Sequence, residues 1–253
     1  METRSRRGAA NVTVSERDRR AMRKRVAWGA RNIREFPWRT CRTAYRVLVA
    51  EKLLQQTAAR PAVVEAYRRL MTYYPNAARL ARADIRKLEK IIRPLGFLYR
   101  AKELKRLGKA LDARYDGRVP NNLDLLLELP GVGDYTARAV LSFAFGKAVA
   151  IVDTNIARFL HRFFGLNWPM PSNPARSKML LELAAKLMAG RNSRRFNFAL
   201  LDLCAGICLP QSPRCRICPL RLSCFTGRAA LQRSCGRGAG AREKMSDDLI
   251  GEP

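Results

Sequence analysis

Four cysteines near the end of the sequence, Cys208, Cys215, Cys218 and Cys224, have the spacing C-x6-C-x2-C-x5-C. Four thiolates this close along the chain can bind one iron–sulfur cluster or one zinc ion. Prolines between and after the cysteines favour a loop over a regular helix. Zinc ribbons favour two C-x2-C pairs, and this segment has one. The spacing therefore favours a [4Fe-4S] cluster, with zinc, buried thiols or two disulfides as the alternatives.

A tight turn with two glycines, Leu129-Pro130-Gly131-Val132-Gly133, separates two apolar helical patterns. Gly131 and Gly133 permit dihedral angles that other residues resist, and they remove side chains that would block a ligand. Their N–H groups at a helix N-terminus are a ready site for a phosphate oxygen. Val132 is expected to fill the hairpin from within. The alternative is a simple linker between two helices.

Two carboxylates stand at positions where chemistry is possible. Asp153 follows the apolar run Val149–Val152 and precedes a predicted helix, so its ionised form is favoured by the helix N-terminus. A helix N-cap without catalytic function is the alternative for Asp153. Glu51 interrupts an otherwise apolar helix, where a carboxylate is either paired with an arginine or functional.

The L-P-G-V-G-x-x-T-A hairpin, an aspartate eighteen residues after Tyr135 and the four cysteines together resemble the endonuclease III/MutY (HhH-GPD) superfamily of DNA glycosylases. The resemblance extends from about Phe36 to Cys224. It implies an all-α, two-lobed helical fold with a C-terminal [4Fe-4S] loop. It also implies DNA-backbone binding by the hairpin through Gly131, Val132, Gly133 and Thr136, and excision of a base. The four cysteines would then bind the cluster.

In this resemblance Asp153 is the catalytic aspartate. Excision breaks an N-glycosidic bond, and the sugar becomes positively charged as the base leaves, so a nearby carboxylate stabilises the transition state. Bifunctional relatives carry a lysine where this chain has Tyr135, and that lysine forms a Schiff base that leads to strand cleavage. A phenol cannot form an imine. We therefore predict a monofunctional glycosylase that leaves an abasic site, and we expect the nearby Lys147 to be a surface charge.

Tyr135 also bears on the substrate, because mismatch-specific thymine/uracil glycosylases place a tyrosine at this position. The resemblance to these glycosylases implies that Tyr135 contacts a flipped pyrimidine. The alternative is that Tyr135 packs at the helix start. In these subfamilies Glu51 would line the base pocket and protonate the base or position water. Gln55 and Gln56 match residues that fill the gap left by the flipped nucleotide or contact the orphan base. A polar helix end is the alternative for both.

Three functions compete. The first is removal of thymine or uracil mispaired with guanine. The second is an adenine glycosylase acting on A·G or A·8-oxoG pairs. The L-Q-Q-T string is also typical of such enzymes, but they usually have a serine in place of Tyr135 and a C-terminal domain for which this sequence has no room. The third is a non-catalytic iron–sulfur DNA-binding protein.

The composition agrees with a nucleic-acid partner. The chain of 253 residues has 49 Lys and Arg against 21 Asp and Glu, a formal net charge of +28. So large an excess indicates a polyanion. The resemblance implies that this polyanion is double-stranded DNA containing a mismatch. No signal peptide is visible, and the longest apolar stretch, Ala139–Gly146, is too short to span a bilayer. We expect a monomer in the cytoplasm, associated with the nucleoid if the organism is prokaryotic, and no membrane partner.

Apolar periodicity predicts the elements that position these residues. The strand-like run Ala148–Val152 is the exception to a helical pattern. We predict a basic disordered tail over 1–14, a helical lobe with the hairpin over 38–147, an iron–sulfur lobe from 15–37 plus 148–226, and a disordered tail over 227–253. DNA is expected in the cleft between the lobes, with Tyr135 and Glu51 opposite Asp153. The predicted helices cover Arg19–Ile33, Ala44–Gln56, Arg60–Tyr73, Asp84–Ile92, Lys102–Ala113, Leu123–Leu129, Tyr135–Phe145, Asn155–Phe164 and Lys178–Met188.

Overall fold

The structure is a computed structural model that describes residues 14–31, 34–41, 43–190 and 192–239, with the backbone alone at 23–28, 30–31 and 233–239. The predicted N-terminal tail, apart from its last residue, lies outside the described residues. The same holds for the predicted C-terminal tail beyond residue 239.

Regular secondary structure in the described ranges is helical, which confirms the all-α prediction. No described helix is both long enough and apolar enough to cross a bilayer. Short 3₁₀ turns connect some of the helices. The α-helices are α1 (Glu16–Arg31), α2 (Pro37–Thr40), α3 (Ala44–Leu54), α4 (Pro61–Tyr73), α5 (Ala77–Ala81), α6 (Ile85–Ile92), α7 (Tyr99–Tyr115), α8 (Leu123–Leu127), α9 (Asp134–Phe143), α10 (Thr154–Phe164), α11 (Lys178–Met188), α12 (Ser193–Gly206) and α13 (Phe225–Ala239).

Helix starts follow the local sequence. At the start of α1, Ser15 Oγ accepts from the Asp18 N–H at 3.1 Å, and Asp18 Oδ2 accepts from the Ser15 N–H at 3.1 Å. This reciprocal pair is a capping box, with Asp in place of the usual Glu. At the start of α8, Asn122 Oδ1 accepts from the N–H groups of Asp124 and Leu125. Short polar side chains thus satisfy backbone donors that the helices leave unpaired.

The chain divides into two compact units. One consists of Met1–Ile33, Val152–Leu187 and Phe198–Pro253, and we call it the cysteine unit. The other consists of Arg34–Ile151 and Met188–Asn197, and we call it the hairpin unit. The predicted lobes differ from these units at residues 34–37, 148–151 and 188–197, which were assigned to the iron–sulfur lobe and lie in the hairpin unit.

Each unit buries its own apolar residues. In the hairpin unit α3 packs on α4, α7 and α9, and α5 and α6 pack on α7. Gly108 of α7 permits the approach of α5, because an added Cβ would lie 2.7 Å from the Ala81 backbone nitrogen. In the cysteine unit α10 packs on α13. The side chains of Ile156, Leu160 and Phe163 on α10 are fully buried.

The run Ala148–Val152 forms no strand. Where a neighbouring strand would pair with this run, the side-chain amide of Asn197 on α12 donates to Val149 O at 3.0 Å. The same amide also donates to Ser142 Oγ at 2.9 Å. A side chain rather than a sheet thus satisfies this part of the backbone. The apolar residues of the run reflect burial, not pairing.

The prediction of disorder from residue 227 is wrong for residues 227–239, which belong to α13. The Gly- and Arg-rich composition concealed this helix. Its first turn is anchored on α10. Thr226 Oγ1 donates to Arg162 O at 3.1 Å, and Phe225 packs directly on Gly165, where an added Cβ would lie 2.6 Å from the ring. Helix α12 also went unpredicted.

Candidate active site and nucleic-acid interface

The glycine hairpin between α8 and α9 is a β-turn followed directly by a helix N-terminus. The Val132 N–H donates to Leu129 O at 3.1 Å, and Gly131 has φ of 68°. Proline at the second position of the turn and glycine with positive φ at the third are features of a type II turn. Gly131 is therefore required by its backbone conformation. Val132 is buried, as predicted, and fills the hairpin from within.

The N-terminus of α9 points out of this turn. Gly133 is the N-cap and supplies no side chain to cap the helix, and the first helical bond runs from the Ala137 N–H to Gly133 O. The N–H groups of the preceding turn are those that helices leave for anions. Thr136 is only 2% exposed, and the DNA contact predicted for it stays a prediction. Tyr135 lies in the same first turn and is partly exposed.

Gln55 lies beneath the hairpin rather than beside it. Its side-chain amide donates to Gly131 O at 3.0 Å and to Thr136 Oγ1 at 3.2 Å. These bonds tie the end of α3 to both the turn and the first turn of α9. The DNA contact predicted for Gln55 stays a prediction, and in this structure its amide supports the hairpin.

Gln56 is presented differently from Gln55. Its side chain is exposed, and its backbone has φ of 53°. Left-handed backbone at a residue other than glycine is uncommon and is concentrated at functional positions. Helix α3 ends at Leu54 with Gln55 as its C-cap, so the left-handed residue follows the helix end. Of the two glutamines, Gln56 is the more exposed, and its contact with a base stays a prediction.

Arg100 holds the segment that contains Gln56, a role that was not predicted from the sequence. The guanidinium is buried on α7 and donates to Leu53 O at 3.1 Å, to Thr57 Oγ1 at 2.9 Å and to Gln55 O. It also lies over the Phe97 ring, 4.4 Å from its centroid. In the sequence of a basic helix, a buried arginine looks the same as a solvent-exposed one.

Glu51 is 5% exposed on α3, so the structure places this carboxylate inside the hairpin unit. A buried carboxylate is rare unless it is hydrogen-bonded or used. Its burial agrees with the prediction of a residue that lines a pocket. The base-pocket role itself stays a prediction.

Asp153 is the N-cap of α10, and both of its oxygens are engaged. Oδ1 accepts from the Ile156 N–H at 2.7 Å, and Oδ2 accepts from the Asn155 side-chain amide at 2.9 Å. The capping alternative considered for Asp153 is therefore realised. The carboxylate is also partly exposed, so capping and a catalytic role are compatible. The two bonds fix the plane of the carboxylate.

A chain of hydrogen bonds continues from Asp153 to the first cysteine. Asn155 Oδ1 accepts from Arg158 Nη1 at 3.0 Å, and Arg158 Nη2 donates to Cys208 O at 2.9 Å. One turn further along α10, Arg162 donates to Leu209 O at 2.5 Å and to Pro210 O at 2.7 Å. Helix α10 therefore carries the carboxylate at its start and braces the cysteine segment along its side.

The four predicted cysteine ligands line one pocket in the cysteine unit. None of the four forms a disulfide, which contradicts the two-disulfide alternative. Apolar side chains such as Phe159, Ile207 and Leu220 complete the wall. Burial raises the pKa of Cys224 to about 12, and its thiol donates to Arg162 O at 3.3 Å. A metal bound by Cys224 would displace this proton.

The four thiols are the candidate metal donors of the cysteine unit. They line one pocket, but within the described residues no three His, Cys, Asp or Glu side chains converge closely enough to hold one metal ion. Arg162 Nη1 lies 3.6 Å from Cys208 Sγ, where a cation offsets thiolate charge. The soft sulfur donors and the neighbouring cation are compatible with an iron–sulfur cluster, which stays a prediction.

Comparison with known proteins places this site in a family. The profile of the HhH-GPD superfamily of base excision DNA repair proteins matches residues 49–189, which include the hairpin and Asp153. The chain belongs to this superfamily. A thymine/uracil-DNA glycosylase of Pyrobaculum aerophilum is 38% identical over 190 residues, 74% of this chain and 82% of its own. An adenine DNA glycosylase of Mycolicibacterium smegmatis is 34% identical over 233 residues, 88% of this chain and 78% of its own.

Solved structures show the same fold. A thermostable thymine-DNA glycosylase superposes with a TM-score of 0.77 at 34% identity, covering 84% of this chain and 98% of that one. A non-covalent endonuclease III–DNA complex superposes with a TM-score of 0.68 at 25% identity, covering 87% of this chain and 100% of that one. The recognised resemblance to endonuclease III and MutY is thereby confirmed.

Proposed function

We propose that this chain is a monofunctional DNA glycosylase of base excision repair that hydrolyses the N-glycosidic bond of thymine or uracil mispaired with guanine. The observation that carries the proposal is the Asp153 carboxylate, which two hydrogen bonds fix at the start of α10. In the hairpin unit, Tyr135 in the first turn of α9 supports the same substrate class. The named thymine/uracil glycosylases among its relatives support the same substrate class.

Asp153 acts on the sugar. As the bond to the base lengthens, positive charge develops on the sugar, and an ionised carboxylate held in a fixed plane stabilises it without reorganising. Asn155 and the Ile156 N–H provide that fixation. The carboxylate needs no amine partner for this step, so the reaction ends with water adding to the sugar and an abasic site.

Glu51 and Tyr135 act on the base. A buried carboxylate can protonate the leaving base or orient the attacking water. Tyr135 stacks on, or hydrogen-bonds to, the flipped pyrimidine. Since a mispaired thymine costs less to unstack than a paired one, the mismatch itself contributes selectivity.

The hairpin and the end of α3 bind the DNA around the flipped nucleotide. The backbone of Gly131, Val132, Gly133 and Thr136 receives phosphate oxygens at the start of α9. Gln56 enters the gap that the flipped nucleotide leaves, above the Gln55 side chain. Leu98 and Tyr99 are exposed beside Arg100 and suit insertion between base steps, which kinks the duplex.

The four cysteines hold a [4Fe-4S] cluster with a structural role. When bound, the cluster would tie together the loop between α12 and α13. It would also supply one-electron redox chemistry. Arg158 and Arg162 neutralise its negative charge and fasten its loop to α10.

Adenine excision is the second candidate. It is supported by the L-Q-Q-T string at Leu54–Thr57 and by adenine DNA glycosylases that are 32–34% identical to this chain. Tyr135 argues against it, because a serine is usual at this position in adenine glycosylases.

The test is a panel of duplexes bearing T·G, U·G, A·G and A·8-oxoG, incubated with the protein and then treated with alkali. We expect strand breaks at T·G and U·G, and none before alkali. Asp153→Asn is the matched control, because asparagine also caps helices and retains the fold. Breaks confined to the adenine duplexes would establish the second candidate. No breaks on any duplex, with normal DNA binding, would leave a non-catalytic DNA-binding protein.

A further inference from the structure

Lys52 is buried beneath the hairpin, at 1% exposure, although it carries a side chain that proteins rarely bury. Its ammonium donates to Gln55 Oε1 at 3.0 Å, to Glu103 Oε2 at 2.9 Å and to Gly131 O at 2.8 Å. Each of the three N–H groups of the Lys52 ammonium therefore has an acceptor. These acceptors lie on three different segments: the end of α3, the helix α7 and the turn of the hairpin.

The turn is built around this ammonium. A Cβ on Gly131 would lie 2.3 Å from Lys52 Nζ and 3.2 Å from Glu103 Oε2. Gly131 O accepts from Gln55 Nε2 as well as from Lys52, so the carbonyl is held inside the unit by two donors. The carbonyl of Gly131 cannot rotate outward without breaking both bonds. Its orientation fixes the peptide that leads into Val132 and Gly133.

Stability alone is a poor reason for this arrangement. Desolvation of a buried ammonium is costly, and well-packed apolar residues of similar volume often replace buried ion pairs with no loss of stability. Burial lowers the pKa of Lys52, and Glu103 opposes that shift. A buried ion pair is better attested as a device that selects one geometry over others.

The geometry selected here joins two parts of the DNA-facing surface. The Lys52–Gln55 contact lies one residue before Gln56, and Arg100 grips the backbone of the same segment at Gln55 O. The Lys52–Gly131 contact lies two residues before the N-terminus of α9. One side chain thus couples the glutamine end of α3 to the phosphate-binding turn.

We propose that Lys52 and Glu103 form a positioning pair that holds the hairpin and the Gln56 segment in one register, so that phosphate binding and probing of the base pair occur together. The pair does not touch the reacting atoms and contributes to DNA affinity rather than to bond breaking. This inference rests on the proposed DNA-binding role of the hairpin, and not on which base is removed.

The test uses the full chain and a fluorescent duplex that carries a tetrahydrofuran abasic-site analogue. Lys52→Met removes the charge and retains the length of the side chain. Lys90→Met is the matched control, because Lys90 is an exposed lysine on α6 and its loss changes the net charge equally. We expect Lys52→Met to raise Kd about tenfold. Amide hydrogen exchange at residues 131–137 should accelerate, and Lys90→Met should change neither.

The rate of base excision measured at saturating enzyme distinguishes a positioning role of Lys52 from a general loss of folded structure. For Lys52→Met we expect the single-turnover rate to stay within about twofold of the unaltered protein, since the Asp153 network is independent of Lys52. The proposal would be overturned if Lys52→Met had the same Kd and the same amide exchange in the hairpin as Lys90→Met. It would also be overturned if Lys52→Met lost affinity and single-turnover rate to the same extent, in proportion to a lowered free energy of unfolding.

A milder variant keeps the inference testable if Lys52→Met does not fold. Glu103→Gln retains an acceptor for Lys52 and removes the opposing charge, and we expect it to raise Kd roughly threefold. No change in Kd for this variant would also overturn the proposal. Failure of the unaltered protein to excise any base would sink the proposed glycosylase, whereas the Kd and exchange measurements would still decide the role of Lys52.

Discussion

Asn155 donates its side-chain amide to Asp153 Oδ2 at 2.9 Å and accepts from Arg158 at 3.0 Å through its other polar atom. A side-chain amide donates through its nitrogen and accepts through its oxygen, so it can join a carboxylate to a guanidinium. The direct alternative, an Asp153–Arg158 ion pair, would draw the carboxylate toward the cysteine loop. We therefore expect Asn155 to keep the Asp153 carboxylate available for the proposed reaction.

We expect Asn155→Ala to lower single-turnover excision roughly 10–100-fold, because the carboxylate loses one of the two bonds that fix its plane. Binding to a duplex with an abasic-site analogue should stay within about twofold. Asn192→Ala, which removes the side-chain bond to the Arg195 N–H at the start of α12, is the control. Unchanged excision in Asn155→Ala would contradict the positioning role.

The reaction should leave no covalent intermediate. Incubation with a T·G or U·G duplex and borohydride is expected to trap no protein–DNA adduct, because Tyr135 cannot form an imine. Lys52 does not substitute for the missing amine, since all three of its N–H groups are engaged. A trapped adduct seen on a denaturing gel would refute the monofunctional mechanism, and its mapping would identify the nucleophile.

The purified protein should contain about four iron and four sulfide per chain, as a [4Fe-4S] cluster requires. Cys218→Ala removes a thiol from the cavity wall and is expected to lose most of the iron and the visible absorption of the protein. Cys41→Ala removes a thiol from the hairpin unit and should retain both. Stoichiometric zinc without sulfide would contradict the assignment.

Removing Arg100 should destabilise the fold and not only the interface. We expect Arg100→Met to lower the free energy of unfolding by about 3 kcal/mol, because buried carbonyls of Leu53 and Gln55 lose a charged donor. Urea unfolding measures this change. Arg106→Met, at an exposed position on the same helix, should stay within about 0.5 kcal/mol of the unaltered protein. Equal stability of both variants would show that the clamp is unimportant.

DNA affinity should fall steeply with salt. If the surface neutralises about six to ten phosphates, as its excess of 28 positive charges permits, Kd should rise roughly 10³–10⁵-fold between 50 and 200 mM salt. Fluorescence anisotropy with a mismatched duplex gives the slope. A slope near zero would argue against a backbone-dominated interface.

Much of the site could be predicted because its residues obey local rules. The turn around Gly131 needs positive φ, the cysteines share a spacing, and Asp153 begins a helix, and each of these properties is visible in a short window of sequence. The contacts of Lys52 and Arg100 were invisible for the opposite reason. Lys52 meets partners 51 and 79 residues away, and Arg100 meets partners 43–47 residues away.

The same distinction explains the errors in the fold. Helix α13 is poor in apolar periodicity and depends on Phe225 and Thr226 contacting α10, which the sequence does not reveal. The run Ala148–Val152 looked like a strand because it is buried, and its partner is the side chain of Asn197. Burial and pairing give the same apolar pattern in a window of five residues.

The backbone at Gln56 has a practical consequence for protein engineering. A φ of 53° is tolerated by glycine, asparagine and aspartate, and strongly disfavoured for β-branched side chains. A mutant library aimed at changing which lesion is processed can therefore omit valine, isoleucine and threonine at this position. Exchanging Gln56 for asparagine shortens the side chain by one methylene and retains the turn, so it is the first variant with which to test the proposed contact between Gln56 and the orphan base.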